Sequence, residues 1–387
     1  MKKERFAVYF TMILAAGCFI ASVLARPGMD TEPEKVEISH LHCAISMKPV
    51  RDTTRRLITG YNYKLLELFA QSDSLGCEIW LVDSEEEALD SLMSKAFDII
   101  VLPYRDSLLE KHPSGDSLAV SSPIDSTTVW VMRKDSPLND GRASRWMESH
   151  LYSAEDSLDR ARFFNVYAPA KARPRKSLSP YDDIIKAYAD TLGWDWRMLA
   201  ALIYEESHFH MEAVSPRGAE GLMQLVPHTS KVYGVDNPFN PEQNIAGGVK
   251  LLMRLTRRYE GIGDNMTERF KYTLAAFNAG VGRIEDCINY ALYRGRNPSY
   301  WINVEAVIPE MNDDSIMETG VVKFGKFSGI ETIAYVEQVV ATYNEFLRIC
   351  PDKTAKIFEY EKDNIIYDHG HDDDGGMPAG NADHESD

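Results

Sequence analysis

The sequence predicts a protein of two folded parts, an α/β domain over residues 36–165 followed by a mainly α domain over residues 179–350. Three observations predict it. Between Val36 and Phe164, apolar runs of strand length alternate with amphipathic segments, the pattern of a sheet covered by helices. From Ser179 onward, apolar residues recur at helical spacing. Between them, residues 166–178 carry Pro169 and Pro174 among Lys171, Arg173, Arg175 and Lys176, which reads as an extended linker. At 387 residues and 44% hydrophobic composition, the chain can bury more than one core. Its net charge of −17 argues against a nucleic-acid partner, which needs clustered Lys and Arg for phosphates. A glycan makes no such demand.

The N-terminus, residues 1–25, reads as an export element: Lys2, Lys3 and Arg5 precede an apolar run from Phe6 to Ala25. Three processing routes fit. Val23-Leu24-Ala25 places small residues where a signal peptidase reads. Leu14-Ala15-Ala16-Gly17-Cys18 is close to a lipoprotein box, with its Leu one position too far upstream, and would lipidate Cys18. An uncleaved anchor is the third, because the run has about the 20 residues that span a bilayer. Each puts the rest of the chain outside the cytoplasm. The Cys18 route is favoured, giving a membrane-attached protein facing the periplasm, on the outer membrane. A polar tether, residues 26–35, follows.

Within the α/β part, strands are expected at Leu41–Met47, Cys77–Val82, Phe97–Leu102 and Thr127–Met132, in a mostly parallel sheet. Helices are expected at Tyr63–Gln71, on Leu65, Leu66, Leu68 and Phe69, and at Ser84–Lys95. Ser84 caps the second, whose first turn carries Glu85, Glu86 and Glu87. In the second part, Ser179 caps a helix with Pro180 at its first position and Asp182 completing a capping-box pattern. Ile184, Ile185, Tyr188 and Leu192 then mark its apolar face. The tail, residues 351–387, turns polar and holds Asp372-Asp373-Asp374 with His369, His371 and His384. A solvated, disordered tail is expected there rather than a metal site. Cys287 and Cys350 fall in one expected domain and are the pair to test for a disulfide; small buried hydrophobes are the other reading.

The chemistry concentrates after Met198. Met198 to Ser207 reads as a helix in which Glu206 follows Leu202 and Ile203 by four and three residues and shares their apolar face. Glu205 is turned away by about 100°. A desolvated carboxyl has a raised pKa, and a carboxylic acid that stays protonated near neutrality is what glycosidic cleavage needs. Downstream come Ala213-Val214-Ser215-Pro216-Arg217-Gly218-Ala219-Glu220-Gly221-Leu222-Met223-Gln224-Leu225, Asn240-Pro241-Glu242-Gln243-Asn244-Ile245, Ala275-Ala276-Phe277-Asn278-Ala279-Gly280-Val281-Gly282-Arg283 and Glu331-Thr332-Ile333-Ala334-Tyr335-Val336.

This ordered set closely resembles the Slt-type lytic transglycosylases, whose catalytic domain is mainly α and lysozyme-like. The resemblance covers residues 179–350. It implies that Glu206 is the catalytic acid and base, that Ser215, Gln224, Phe277, Asn278 and Tyr335 bind or position substrate, and that peptidoglycan strands are the partner. Two positions depart from the family pattern: Phe277 stands where Tyr is usual, and Val226 where Met is frequent. In the implied reaction Glu206 protonates the oxygen between N-acetylmuramic acid and N-acetylglucosamine. It then takes the proton of the C6 hydroxyl as a 1,6-anhydro ring closes. No metal or cofactor is implied. The α/β part resembles one lobe of the periplasmic solute-binding fold through Gly60-Tyr61-Asn62-Tyr63-Lys64-Leu65-Leu66, Glu86-Glu87-Ala88-Leu89, Phe97-Asp98-Ile99-Ile100 and Ser121-Ser122-Pro123-Ile124. Pro103-Tyr104-Arg105-Asp106-Ser107 lacks the Thr-rich turn of the amino-acid-binding members, so a scaffold or protein-contact role stands beside ligand binding as a reading of this lobe. Two other readings remain open: a lysozyme-like hydrolase of the same bond, and a non-catalytic wall-binding or sensing protein.

Overall fold

The structure is a computed structural model that describes residues 38–46, 57–104, 115–124, 128–164 and 176–351. The export element with Cys18, the tether, most of the linker, the Arg105-Asp106-Ser107 turn and the tail beyond residue 351 lie outside the described residues. Among the described residues, no helix is long and apolar enough to cross a membrane.

Five strands form one sheet in the order β2-β1-β3-β5-β4: β1 (His40–Ser46), β2 (Gly76–Val82), β3 (Ile99–Pro103), β4 (Leu118–Val120) and β5 (Thr128–Arg133). β1 pairs in parallel with β2 and β3, while β5 runs antiparallel to β3 and β4. The sheet is therefore mixed rather than mostly parallel. β4 escapes sequence reading because it has three residues and an exposed end at Val120, too short to show an alternation.

Helix α1 (Ile58–Ser72) covers one face of the sheet, and α2 (Glu85–Met93) covers the other. Ala88, Leu89 and Leu92 of α2 pack on Ala44, Ile100, Leu102, Val129 and Val131, the alternate residues that a pleated strand sends to one side. Opposite them Trp130 meets Phe69 of α1 at 5.6 Å and stacks on Trp146 of α3 (Arg142–His150) at 5.9 Å. Ser84 does cap α2, accepting the Glu87 N–H at 3.2 Å. α1 begins at Ile58, earlier than expected, and its first turn packs closely: a Cβ on Gly60 would sit 2.6 Å from Tyr181 Oη and 2.9 Å from Phe163. Phe163 belongs to α4 (Ala154–Phe164), whose buried Asp156 accepts hydrogen bonds from Tyr61, Arg160 and the Tyr152 N–H.

The second half is helical: α5 (Asp182–Leu192), α6 (Trp196–Ser207), α7 (Pro227–Tyr233), α8 (Pro241–Arg258), α9 (Met266–Ala279), α10 (Val281–Tyr293), α11 (Trp301–Glu305), α12 (Asp314–Met317) and α13 (Ile330–Ile349). Ser179 does not cap the helix as expected: its N–H and Oγ both donate to Asp182 Oδ1 at 2.8 and 2.7 Å, and its Oγ accepts the Tyr181 N–H at 3.1 Å. The helix itself starts at Asp182, after Tyr181. α6 is the central helix, with Met198 to Tyr204 all buried, and it packs along α13. Asp195 caps α6 through the Arg197 N–H, and the buried Arg197 guanidinium reaches the Cys350 carbonyl at 2.9 Å. The four described cysteines are free thiols, and Cys287 and Cys350 are both buried. The disulfide is not formed; the buried-hydrophobe reading describes these residues.

The two halves form one compact unit. Asn240 Nδ2 donates to Tyr63 Oη at 2.9 Å, Asn237 Nδ2 donates to the Ile79 carbonyl of β2 at 2.9 Å, and Phe163 meets Tyr181 edge-on at 6.2 Å.

Candidate active site

Glu206 stands in the last turn of α6. Its apolar neighbours Leu202 and Ile203 are fully buried, and Glu206 as a residue is half-buried. The chain then turns sharply: His208 closes the helix at φ 52° and Phe209 follows at φ 65°. Both are left-handed non-glycine residues, a conformation that costs of order 1–3 kcal/mol each. The turn exposes the helix end while Phe209 is driven into the core.

Tyr335, one turn into α13, donates to Glu206 Oε1 at 2.6 Å. The phenol's own burial and the adjacent carboxylate push its pKa well up, so it stays a donor. For Glu206, desolvation dominates. It raises the carboxyl from 4.5 to about 7, against the opposing Tyr335 bond and with repulsion from Glu205 adding to the rise. The carbonyl end of a helix acts in the same direction. Glu205 faces elsewhere, as its rotation from Glu206 predicts, and accepts from Thr342 Oγ1 at 2.5 Å.

Thr332 lies three residues before Tyr335, so both project from neighbouring positions on one helix face. Thr332 Oγ1 donates to Asn278 Oδ1 at 2.9 Å. The first turns of α13 thus hold α6 through Glu206 and the end of α9 through Asn278. With its carbonyl engaged, the exposed Asn278 has its amide N–H groups to offer. Phe277 beside it is half-buried and supplies an apolar wall.

Ser215 and Gln224 occupy a loop of their own. Ser215 Oγ accepts the Ala219 N–H at 3.0 Å, which closes the turn through Gly218. Gln224, at φ 48°, donates Nε2 to the carbonyls of Ala213 and Gly221 at 3.0 and 2.9 Å. Its amide protons hold the loop, and Oε1 is the atom suited to a ligand. The fully buried Asn244 braces this loop. It accepts the Met223 N–H at 2.7 Å and donates to the carbonyls of Glu220 and Pro238 at 3.1 and 2.8 Å. Gly221, at φ 77°, leaves no room for a side chain: a Cβ would fall 2.2 Å from Pro238 O and 2.3 Å from Asn244 Nδ2.

Three supports carry no role in the sequence reading. Asn244 and Thr332 sit inside motifs quoted for the resemblance, but their bracing is visible only once the partners are in place. The third is Asp286 on α10, which accepts the N–H groups of Lys323 and Phe324 at 2.7–3.0 Å and seats Phe324 over Gly282.

Residues 183–298 match the transglycosylase SLT domain. Over 302 residues the chain is 29% identical to membrane-bound lytic murein transglycosylase F of Desulfosudis oleivorans, covering 74% of this chain and 64% of that protein. It is 35% identical over 189 residues to the protein of the same name from Shewanella halifaxensis, covering 49% of this chain and 38% of that one. The chain thus spans less than two thirds of the length of these relatives. A solved structure of the 70-kDa soluble lytic transglycosylase in complex with bulgecin A matches at 26% identity and a TM-score of 0.30, covering 45% of this chain and 25% of that one.

Proposed function

We propose that this chain is a lytic transglycosylase that cleaves the β-1,4 bond between N-acetylmuramic acid and N-acetylglucosamine in peptidoglycan, leaving 1,6-anhydro ends, in the service of cell-wall remodelling. The observation that carries the reading is the Tyr335–Glu206 pair: a carboxyl oriented by a phenol at 2.6 Å and raised to about 7. A group poised near the working pH can give up a proton in one step and take one in the next. Glu206 protonates the glycosidic oxygen as the bond breaks; as carboxylate it then accepts the C6 hydroxyl proton while that oxygen closes on C1. Ordinary glycosidases divide these tasks between two carboxylates flanking the bond. Glu205 is a poor second carboxylate because Thr342 holds it on another side. Gln224 Oε1, Asn278 Nδ2 and the Ser215 hydroxyl supply polar contacts for acetamido and hydroxyl groups, beside the Phe277 ring.

The substrate lies outside the cytoplasm, and the basic, apolar N-terminus fits that location. The relatives named above are described as membrane-bound. We place the protein at the cell envelope, anchored through the export element, with the α/β half as scaffold or protein contact.

Mass spectrometry of purified peptidoglycan digested by the full chain tests the activity. Anhydro-muropeptides are expected, and Glu206→Gln should lower their release by at least about 10²–10⁴-fold while circular dichroism stays unchanged. Reducing N-acetylmuramic ends would identify a hydrolase of the lysozyme kind. Binding to the wall without any product would identify a non-catalytic wall protein.

A further inference from the structure

Three exposed side chains at the edge of the α/β sheet converge without any part in the proposed chemistry. His40 and His42 alternate on β1 and so project from one face, opposite to buried Leu41 and Cys43. Glu78 of β2 is the register partner of His42 and stands on the same face. His40 Nε2 lies 3.9 Å from Glu78 Oε1, and His42 Nε2 lies 4.0 Å from Glu78 Oε2. One donor atom from each of the three residues falls within 4.8 Å of the others.

Two features organise the trio. Gly76, paired with His40, leaves space for its imidazole over β2: a Cβ there would lie 2.1 Å from His40 Nδ1. Asp98, at the entry to β3, accepts the His42 backbone N–H at 3.0 Å and stands 3.8 Å from His42 Nδ1. At that distance Asp98 makes no hydrogen bond to the ring, but it is placed to receive one from Nδ1 after a small rotation, which would leave Nε2 for a metal, as ligating histidines commonly do.

We propose that His40 Nε2, His42 Nε2 and the Glu78 carboxylate form a zinc site, with water completing a tetrahedron. Two imidazoles and one carboxylate suit Zn²⁺, whereas Ca²⁺ and Mg²⁺ demand oxygen ligands. Bonds of about 2.0–2.2 Å set tetrahedral donors roughly 3.4 Å apart, so the present separations close by side-chain rotation alone. The ion would clip β1 to β2, the sheet's edge strand. Ile79, the residue after Glu78, is where Asn237 of the helical half takes hold. The site would therefore stiffen the strand on which that half leans. This inference stands apart from the transglycosylase reading and survives its failure.

Zn²⁺ titrated into the metal-free full chain against a chromogenic chelator tests it, with Co²⁺ as a spectroscopic probe. One zinc per chain is expected, with intense four-coordinate visible bands from Co²⁺. His40→Ala, His42→Ala and Glu78→Gln should each weaken binding by about tenfold or more. Asp98→Asn should weaken it by about tenfold, the lower end of what outer-sphere partners contribute. These side chains are exposed, so the apo-protein's melting temperature should not move, while the zinc-induced rise should vanish in His40→Ala/His42→Ala. Wild-type zinc binding by that double variant would overturn the proposal. Absence of stoichiometric binding by the wild type would overturn it as well.

Discussion

Asp156 in the α/β half and Glu206 in the helical half are both carboxyls withdrawn from water, yet they titrate in opposite directions. Burial would raise Asp156, but hydrogen bonds from Tyr61, Arg160 and the Tyr152 N–H, with the Arg160 charge, outweigh it and hold the group below its ordinary value. Burial raises Glu206 as well, and there only Tyr335 opposes it, so the carboxyl rises to about 7. The comparison teaches that burial alone does not make an acid. What matters is how far the surroundings complete the carboxylate. The α/β half completes its buried charge and gains a rigid tie between α1 and α4. The helical half leaves its carboxylate undersupplied, and that deficit gives it a proton to donate.

The sharpest way to break this contrast is Asp156→Asn. It leaves the half-buried Arg160 without its counter-charge and disturbs the three hydrogen bonds that the buried carboxylate accepts, a loss of about 3 kcal/mol. Urea denaturation at pH 7 should show that loss. Because the Asp156 pKa is lowered in the fold, its contribution is present above the unfolded value and disappears as pH falls through the folded value. The variant's deficit should therefore shrink in acid. A deficit unchanged down to pH 2 would mean that packing, rather than charge, is what the substitution removes.

Glu206→Gln should act with the opposite sign. Between 4.5 and about 7 the folded protein retains a proton that the unfolded chain has released. Wild-type stability therefore falls with rising pH across that window and stays low above it. A neutral isostere escapes the fall and should be more stable than wild type at pH 8 by up to about 3 kcal/mol, with no difference at pH 4. Equal melting curves at both pH values would remove the raised carboxyl from the account. Tyr335→Phe is a milder probe. The lost hydrogen bond favoured the charged form, so Glu206 should rise further and the alkaline limb of the activity profile should move to higher pH. Loss of orientation should lower kcat by about tenfold, a little over 1 kcal/mol. An unmoved limb would reduce Tyr335 to a packing residue.

Much of this contrast is legible in the sequence. The face of Glu206 follows from its spacing to Leu202 and Ile203, while its expected role and that of Tyr335 come from the motif order that resembles a known family. The strands with clear alternation and the Ser84 cap follow from local rules. What the sequence hides is pairing across distance. Asp156 reads as one more helical acid until Tyr61 is found opposite it, 95 residues away. Asn244 reads as a residue of α8 until Gly221 and Met223 surround it. His40, His42 and Glu78 gain meaning only from the β1–β2 register. The mixed direction of the sheet escapes notice for the same reason, since β4 is recognisable only through β5.

The smallest expected effect tests whether the two halves communicate or merely adhere. Tyr63 of α1 is buried and accepts a hydrogen bond from Asn240 Nδ2, while Asn240 Oδ1 accepts the Gln243 N–H to cap α8. One turn further along α8, Asn244 holds the Gly221–Gln224 loop. A physical path thus runs from the α/β half through the α8 N-terminus to a loop proposed to grip the glycan. Tyr63→Phe deletes a single hydroxyl and should cost about 1 kcal/mol, the net worth of one hydrogen bond. Glu206 is supported separately by α13, so kcat should hold. If the path positions the loop, KM for glycan strands should rise about two- to fivefold, which is under 1 kcal/mol of binding. A drop in melting temperature with KM unchanged would show that the α/β half is attached to the helical half without tuning it, because the same lost bond would then be felt by the fold and not by the loop.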